Sequence, residues 1–223
     1  MTTLTEAIHA TESFISEAPG SQSREAITVK SGQNLKSCAV LGTIVSGTVA
    51  SAAKSGGNTG NGTFTLDGTT PLLLNAKLGV YTLRCIAAVT NGGTFRLEDP
   101  DGMVLGDFVI PAGAGNSITV SEQIKGAIAD GTTDFAVGDG FDITVTALVE
   151  KEVEYNPAGT DGSQIATGIL YRAIDATAAD TKGTAYKRNC EHNADIVVWK
   201  TGITTTQIAK GTADLKRRGI LLR

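Results

Sequence analysis

Asp161-Gly162-Ser163-Gln164-Ile165-Ala166-Thr167-Gly168-Ile169-Leu170-Tyr171 opens the stretch that decides the fold, which runs on to Arg223. The Asp-Gly-Ser start is a turn signal, and the β-branched, aromatic run behind it reads as a strand. A polar break from Asp175 to Gly183 leads to a second strand through Thr184, Ala185 and Tyr186. Ile196-Val197-Val198-Trp199 then follows the polar Glu191-His192-Asn193 as a short apolar run. One amphipathic helix comes next. Thr204 with Gln207 fits a capping box, in which hydroxyl and amide satisfy each other's exposed backbone N–H groups. Ile208, Thr212 and Leu215 share one helical face. Lys216, Arg217 and Arg218 set positive charge at the negative end of the dipole, and Gly219 supplies the stop. Ile220-Leu221-Leu222 ends the chain as a buried strand or tail. The reading is strand, strand, Trp, helix, tail: a small α+β unit.

Upstream, Arg24 to Ile44 alternates through Ile27, Val29, Leu35, Cys38, Val40 and Ile44 around a Ser31-Gly32-Gln33-Asn34 turn. That pattern predicts a hairpin or meander with one buried side. Gly42 and Gly47 interrupt it, and Ser55-Gly56-Gly57-Asn58-Thr59-Gly60-Asn61-Gly62 has the composition of a linker or loop. From Thr63 to Val149 the chain predicts a separate all-β unit, with strands at Thr63–Leu66, Gly79–Val89, Thr94–Leu97, Met103–Ile110, Ser117–Val120, Gln123–Ile128 and Phe141–Leu148. Asn91-Gly92-Gly93 is a hairpin signal, and Glu98-Asp99-Pro100-Asp101-Gly102 is a turn that proline and glycine shape. Short strands at this spacing suggest a sandwich or barrel. Its ends, near Val49 and Glu150, are expected side by side, because a host tolerates insertion where it needs only a loop.

At residues 1–22 the chain is polar, with Phe14-Ile15 as its apolar anchor. Phe14-Ile15-Ser16-Glu17-Ala18-Pro19-Gly20, then Ser23-Arg24-Glu25 and Gly32-Gln33-Asn34-Leu35, together with the ordered features of the last third, resemble the head decoration proteins of tailed bacteriophages. The resemblance covers the first fifth and last third of the chain, and the middle departs from the compact members. It implies a mainly β fold with one short C-terminal helix, in which an α+β host unit carries an inserted β-sandwich or barrel. The implied boundaries are an N-terminal arm at 1–22, a discontinuous host at 23–48 and 150–223, and an insert at 49–149. The implied function is a structural cement protein, not an enzyme, that binds the outer surface of the mature head and resists internal DNA pressure. Its implied partners are the major capsid protein and two further copies of itself in a homotrimer. By the same resemblance, Phe14, Ile15, Ser16, Glu17, Ala18 and Pro19 touch the capsid. Trp199 is either a core anchor or a trimer contact. The alternative is a virion-surface adhesion module that binds glycan or protein through the β insert.

Composition narrows the other classes. The net charge of −4 gives no field that draws the chain to nucleic acid or an anionic membrane. No apolar run approaches the roughly 20 residues that span a bilayer, and Met1–Ala10 lacks the apolar core of a secretory signal. The chain is therefore expected to be made and kept in the host cytoplasm before it reaches the virion. Aromatic residues make up 5%, too few for a sugar-stacking groove. Cys38, Cys85 and Cys190 are widely spaced and odd in number, which predicts buried free thiols rather than a disulfide frame or zinc site. Cys190-Glu191-His192 puts thiol and imidazole on one side of a strand, and packing accounts for it without chemistry. Two acidic clusters lack the spacing of a calcium loop: Glu98, Asp99, Asp101 and Asp107, and Asp130, Asp134, Asp139 and Asp142. Neither cofactor nor metal is expected.

Overall fold

A computed structural model of the chain describes Glu6 and residues 8–19, 21–113 and 115–223. The first five residues of the expected arm, with Ala7 and Gly20, lie outside the described residues. Among those described, the protein is mainly β with a single C-terminal helix. The strands begin with β1 (Phe14–Glu17), β2 (Arg24–Val29), β3 (Gln33–Leu35) and β4 (Val40–Ala53). Then come β5 (Thr63–Leu66), β6 (Gly79–Val89), β7 (Gly92–Glu98), β8 (Val104–Ile110), β9 (Ser117–Ser121), β10 (Lys125–Ala129) and β11 (Gly140–Glu154). The chain closes with β12 (Ala166–Leu170), β13 (Ile174–Ala176), β14 (Thr181–Tyr186), β15 (Cys190–His192), helix α1 (Thr205–Arg217) and β16 (Ile220–Leu222). Two compact units result: Met1–Ile44 with Glu150–Arg223, and Val45–Val149. The chain passes between them through the long strands β4 and β11.

In the first unit the ladder runs β2-β14-β12-β4. The end of β11 pairs with β2 in parallel, Glu152 against Val29, and the Tyr155 amide returns to the Val40 carbonyl at 2.9 Å. The ladder therefore curls until its ends meet. β12 is buried along its whole length, as a strand with packing on both faces must be. Ile27, Val29, Leu41, Leu170 and Ile174 fill one core of this unit. Val40, Tyr155, Ile169, Tyr186, Leu215 and Ile220 fill the other. The hairpin expected between β2 and β3 does not form: β2 pairs with β14, while β3 pairs with β13 inside the supposed polar break. Alternation gives the buried face of a strand but not its partner, and here the partners come from the far end of the chain.

The helix is as its sequence reads. Thr204 is the N-cap with both capping-box bonds in place, and Gly219 takes φ +76° after the last turn. Ile196-Val197-Val198-Trp199 is not a strand; only Val198 makes a bridge, to Ala39.

The Val45–Val149 unit is a sandwich. One sheet has the order β4-β11-β6-β7-β8 and the other β5-β10-β9. Their inner residues meet in one core that includes Phe64, Tyr81, Leu83, Phe95, Ile128 and Phe141. β4 passes through Gly42 and Gly47 without a break. A Cβ at Gly42 would stand 2.6 Å from the Ser163 carbonyl oxygen, and one at Gly47 would strike the Ala147 carbonyl. These glycines permit close backbone approach within a strand. The glycine-rich 55–62 stretch is no free linker either. Asp139 accepts the amides of Thr59 (3.0 Å) and Gly60 (2.9 Å), and Asn58 exchanges two bonds with the Gly140 backbone. Asn91 takes φ +53° in the tight turn between β6 and β7.

Candidate docking edge at the N-terminal strand

Residues 14–17 form a strand rather than a loose arm. β1 lies at the edge of a three-stranded sheet, β1-β15-β16. Phe14 stands opposite His192, and Glu17 opposite Cys190, with a bulge between Phe14 and Ser16. The Asn193 amide donates to the Ser13 carbonyl at 2.6 Å, and the Ala18 amide donates to Asn189 O at 3.0 Å. Ser23 Oγ ties the exit, accepting from Ala18 N at 3.1 Å and donating to Asn189 O at 2.8 Å. A bulge re-aims side chains, and here it leaves Ile15 49% exposed.

The inner side of β1 belongs to the core. The Phe14 ring stacks on Tyr186 at 5.5 Å between centroids and meets His192 edge-on at 6.3 Å. Arg24 lies over Tyr171 (5.3 Å) and Tyr186 (5.6 Å) while its guanidinium grips both oxygens of Glu17. Such cation–π contacts contribute about 0.5–1 kcal/mol each, and here they fasten the strand through Glu17. On the outer side, Ser16 Oγ donates to Glu191 at 2.9 Å, and Glu191 in turn accepts from Arg223 at 2.7 Å. Of the six residues expected to touch a partner, Ile15, Ser16 and Pro19 are exposed, while Phe14, Glu17 and Ala18 are half-buried against their own chain. Sequence reasoning took Phe14 for an anchor on a partner. It fills a slot whose lining, Tyr186 and His192, lies more than 170 residues away.

Trp199 sits elsewhere in the same unit. Its ring meets Tyr155 edge-on at 5.8 Å, and a Cβ at Gly211 would stand 2.6 Å from its Cζ3. Gly211 thus opens the place on α1 where the indole rests, and Tyr155 OH donates to the Gln207 carbonyl at 3.1 Å. The half-buried Trp199 packs between Tyr155, just past β11, and the helix at Gly211.

Cys190 and His192 are both buried on one side of β15, with Glu191 on the other, as period two demands. Burial pushes the Cys190 thiol up to about 12 and the His192 imidazole down to about 4, against a smaller opposing pull from Glu17. A thiol so raised is no nucleophile, and a fully covered imidazole meets no substrate. Cys38, Cys85 and Cys190 are buried and free.

Turn and pair chemistry accounts for most of the acidic clusters. Asp99 accepts the amides of Asp101 (2.9 Å) and Met103 (3.0 Å) and pairs with Lys77. Asp107 pairs with Arg96, Asp142 with Arg84, and Asp134 accepts from Asn91 N at 2.8 Å. Asp130 differs, since both its buried carboxylate oxygens lack a hydrogen-bond partner among the described residues.

Sequence reading missed a second buried constellation. Lys187 Nζ lies 2.7 Å from Glu152 Oε1, with side chains 10% and 5% exposed. Thr43 and Thr167 hydroxyls sit within 3.0 and 3.2 Å of the same carboxylate. The only signal was the charged run Glu150-Lys151-Glu152-Val153-Glu154, which reads as a solvated return.

The family described as bacteriophage lambda head decoration protein D matches residues 3–220, the middle of the chain included. No curated protein matches. Among solved structures, the crystal structure of Xanthomonas campestris FlgL aligns with a TM-score of 0.31 at 16% identity. That alignment covers 56% of this chain and 41% of the FlgL chain, and a likeness so slight carries no argument.

Proposed function

The chain belongs to the family of bacteriophage lambda head decoration protein D, and from that premise we propose that it is a cement protein of a phage head. In this reading it binds the outer surface of the mature shell, on the major capsid protein, as a homotrimer. The end-to-end family match carries the proposal. A protein that binds the mature lattice but not its precursor stabilises the mature state by mass action. A modest gain at each site, repeated over a closed lattice, resists the pressure of packaged DNA. Three copies joined by a heterologous interface close into a ring.

The exposed edge of β1 supports the N-terminal segment as the shell contact. Ile15, Ser16 and Pro19 are exposed there, on or next to a strand at the edge of its sheet, and an exposed edge is the ordinary substrate for strand addition. The Val45–Val149 unit has its own core and in this reading is an insertion into the decoration-protein host.

Co-sedimentation tests the proposal. The purified protein is expected to pellet with expanded, mature heads and to remain in the supernatant with unexpanded procapsids. Ile15→Asp, an exposed change that spares Phe14, is expected to weaken pelleting at least tenfold while circular dichroism stays unchanged. Equal pelleting with both particle forms would remove the cement reading. Undiminished binding by Ile15→Asp would move the contact away from β1.

A further inference from the structure

His192 is fully buried, and nothing in the family relationship explains why a titratable ring stands there. Its Nδ1 lies 2.8 Å from Ser13 Oγ, the residue that leads into β1. Its Nε2 is buried and has no hydrogen-bond partner among the described residues. Phe14 covers the ring from β1, and Tyr186 meets it edge-on at 4.7 Å from β14. The ring is therefore suited to one state. A neutral imidazole can donate from Nδ1 to Ser13 Oγ and leave Nε2 as a bare lone pair, whereas an imidazolium puts a second N–H on Nε2 and needs an acceptor there. Nε2 has none, and a buried cation without an acceptor is costly.

We propose that β1 is a proton-released latch: neutral His192 keeps the strand docked, and protonation frees residues 14–17 while the rest of the unit stays folded. The weak side of the arrangement is local. Apart from the Phe14 ring, the Arg24–Glu17 clasp and the Ser16–Glu191 hydrogen bond, β1 is held by the few backbone bonds of a four-residue edge strand. β12, β14 and α1 rest on the large cores described above.

The charged and titratable groups that face His192 come from β1, β2, β14, β15 and the turn at Cys38. Glu17, on β1, faces the site but is neutralised by Arg24 from β2. Tyr186 on β14 and Cys190 on β15 are both held up to about 12 by burial and stay neutral. Glu191 points to the opposite side of β15, where Arg223 and Ser16 bind it and hold its carboxyl below the ordinary range. Cys38 approaches through its Sγ, 3.4 Å from Ser13 N. Burial lowers the docked imidazole from 6.5 to about 4. The undocked form therefore binds the proton first as pH falls. Docking is independent of this group well above 6.5 and weakens by up to about tenfold per pH unit as pH falls from 6.5 toward about 4. This concerns the isolated chain and holds whether or not β1 touches a capsid.

Amide hydrogen exchange on the full-length protein tests it, corrected for the intrinsic pH dependence of exchange. From pH 7 to 4.5, protection at Phe14–Glu17 is expected to fall by up to about tenfold per unit once below 6.5, while α1 and β6–β7 keep theirs. His192→Gln should give a pH-independent β1. A second measurement does not depend on that variant folding: the His192 imidazole shift in wild-type protein, assigned with the exposed His9→Gln, should titrate together with β1 release. Flat β1 protection, simultaneous loss at α1, or a slope retained in His192→Gln would each overturn the latch.

Discussion

The unit of Met1–Ile44 and Glu150–Arg223 buries an ion pair, two threonine hydroxyls and a histidine among its strands, and exposes few large apolar side chains. In the Val45–Val149 unit the buried polar residues are three aspartates at loops, Asp99, Asp130 and Asp139, and the strands bury apolar side chains. Its surface shows the reverse bias: Leu78, Val80, Met103, Val104, Val109 and Val137 are all exposed there, against Ile15 among the described residues of the first unit. A sandwich gains stability from apolar area alone and tolerates leftover apolar residues outside. A small curled ladder with helix and edge strands must place each strand uniquely. A satisfied buried network serves that end, because any wrong register strands a charge.

Glu152→Ala strikes the buried network of the first unit most directly. It removes the carboxylate shared by Lys187, Thr43 and Thr167 and leaves a buried ammonium without its partner. The expected loss is about 3–5 kcal/mol. Trp199, the single tryptophan, lies in the same unit, so its fluorescence during urea unfolding reads the damage directly. The double change Glu152→Leu with Lys187→Met should recover much of the loss, since apolar replacement of a buried pair is often neutral. An unmoved urea midpoint in the single variant would mean that the first unit does not depend on its network.

Gly211→Ala comes next and asks how tightly the one helix fits. The new methyl would meet Trp199 Cζ3 at 2.6 Å and Tyr155 Cε1 at 3.2 Å, so the indole must shift. Overpacking of this kind costs about 1–3 kcal/mol, offset by up to about 1 kcal/mol of helix propensity. A net loss with red-shifted Trp199 emission is expected. A net gain would show the indole free to move, with Trp199 no anchor.

These two variants also mark what the sequence could reveal. The strands of the sandwich were legible because period two, Asn91-Gly92-Gly93 and Asp99-Pro100-Asp101-Gly102 are local signals, and nearly every strand of that unit lies where those signals put it. The capping box and Gly219 gave α1 for the same reason. Long-range pairing was not legible. Nothing near Arg24 announces β14 as its neighbour, and nothing near Phe14 announces Tyr186. The candidate site suffered most, because Phe14 and Ile15 are adjacent and apolar, yet one turns half-buried onto Tyr186 and His192 while the other is exposed. Glycines misled where the reason was steric: Gly47 looks like a break in sequence and is a close approach of two strands in space.

The smallest expected effect is on the other side of the comparison. β10 alternates inward through Gly126 and Ile128, and the next inward position is Asp130. Its oxygens are buried and receive no donor, so this carboxylate is a liability in a unit otherwise held by apolar contact. Asp130→Asn keeps the shape, removes the charge and adds an N–H₂ that can donate to nearby carbonyls. Stability is expected to rise by about 1 kcal/mol, which is a Tm gain of about 2–4 °C in a chain of this size. Thermal unfolding followed by far-ultraviolet circular dichroism measures it. The sign decides the matter. A gain confirms that the sandwich tolerates an unpaired group because its apolar core carries the fold. A loss would mean that the carboxylate is satisfied in solution by a bound water or ion, and that the second unit, like the first, relies on a buried polar contact for its order.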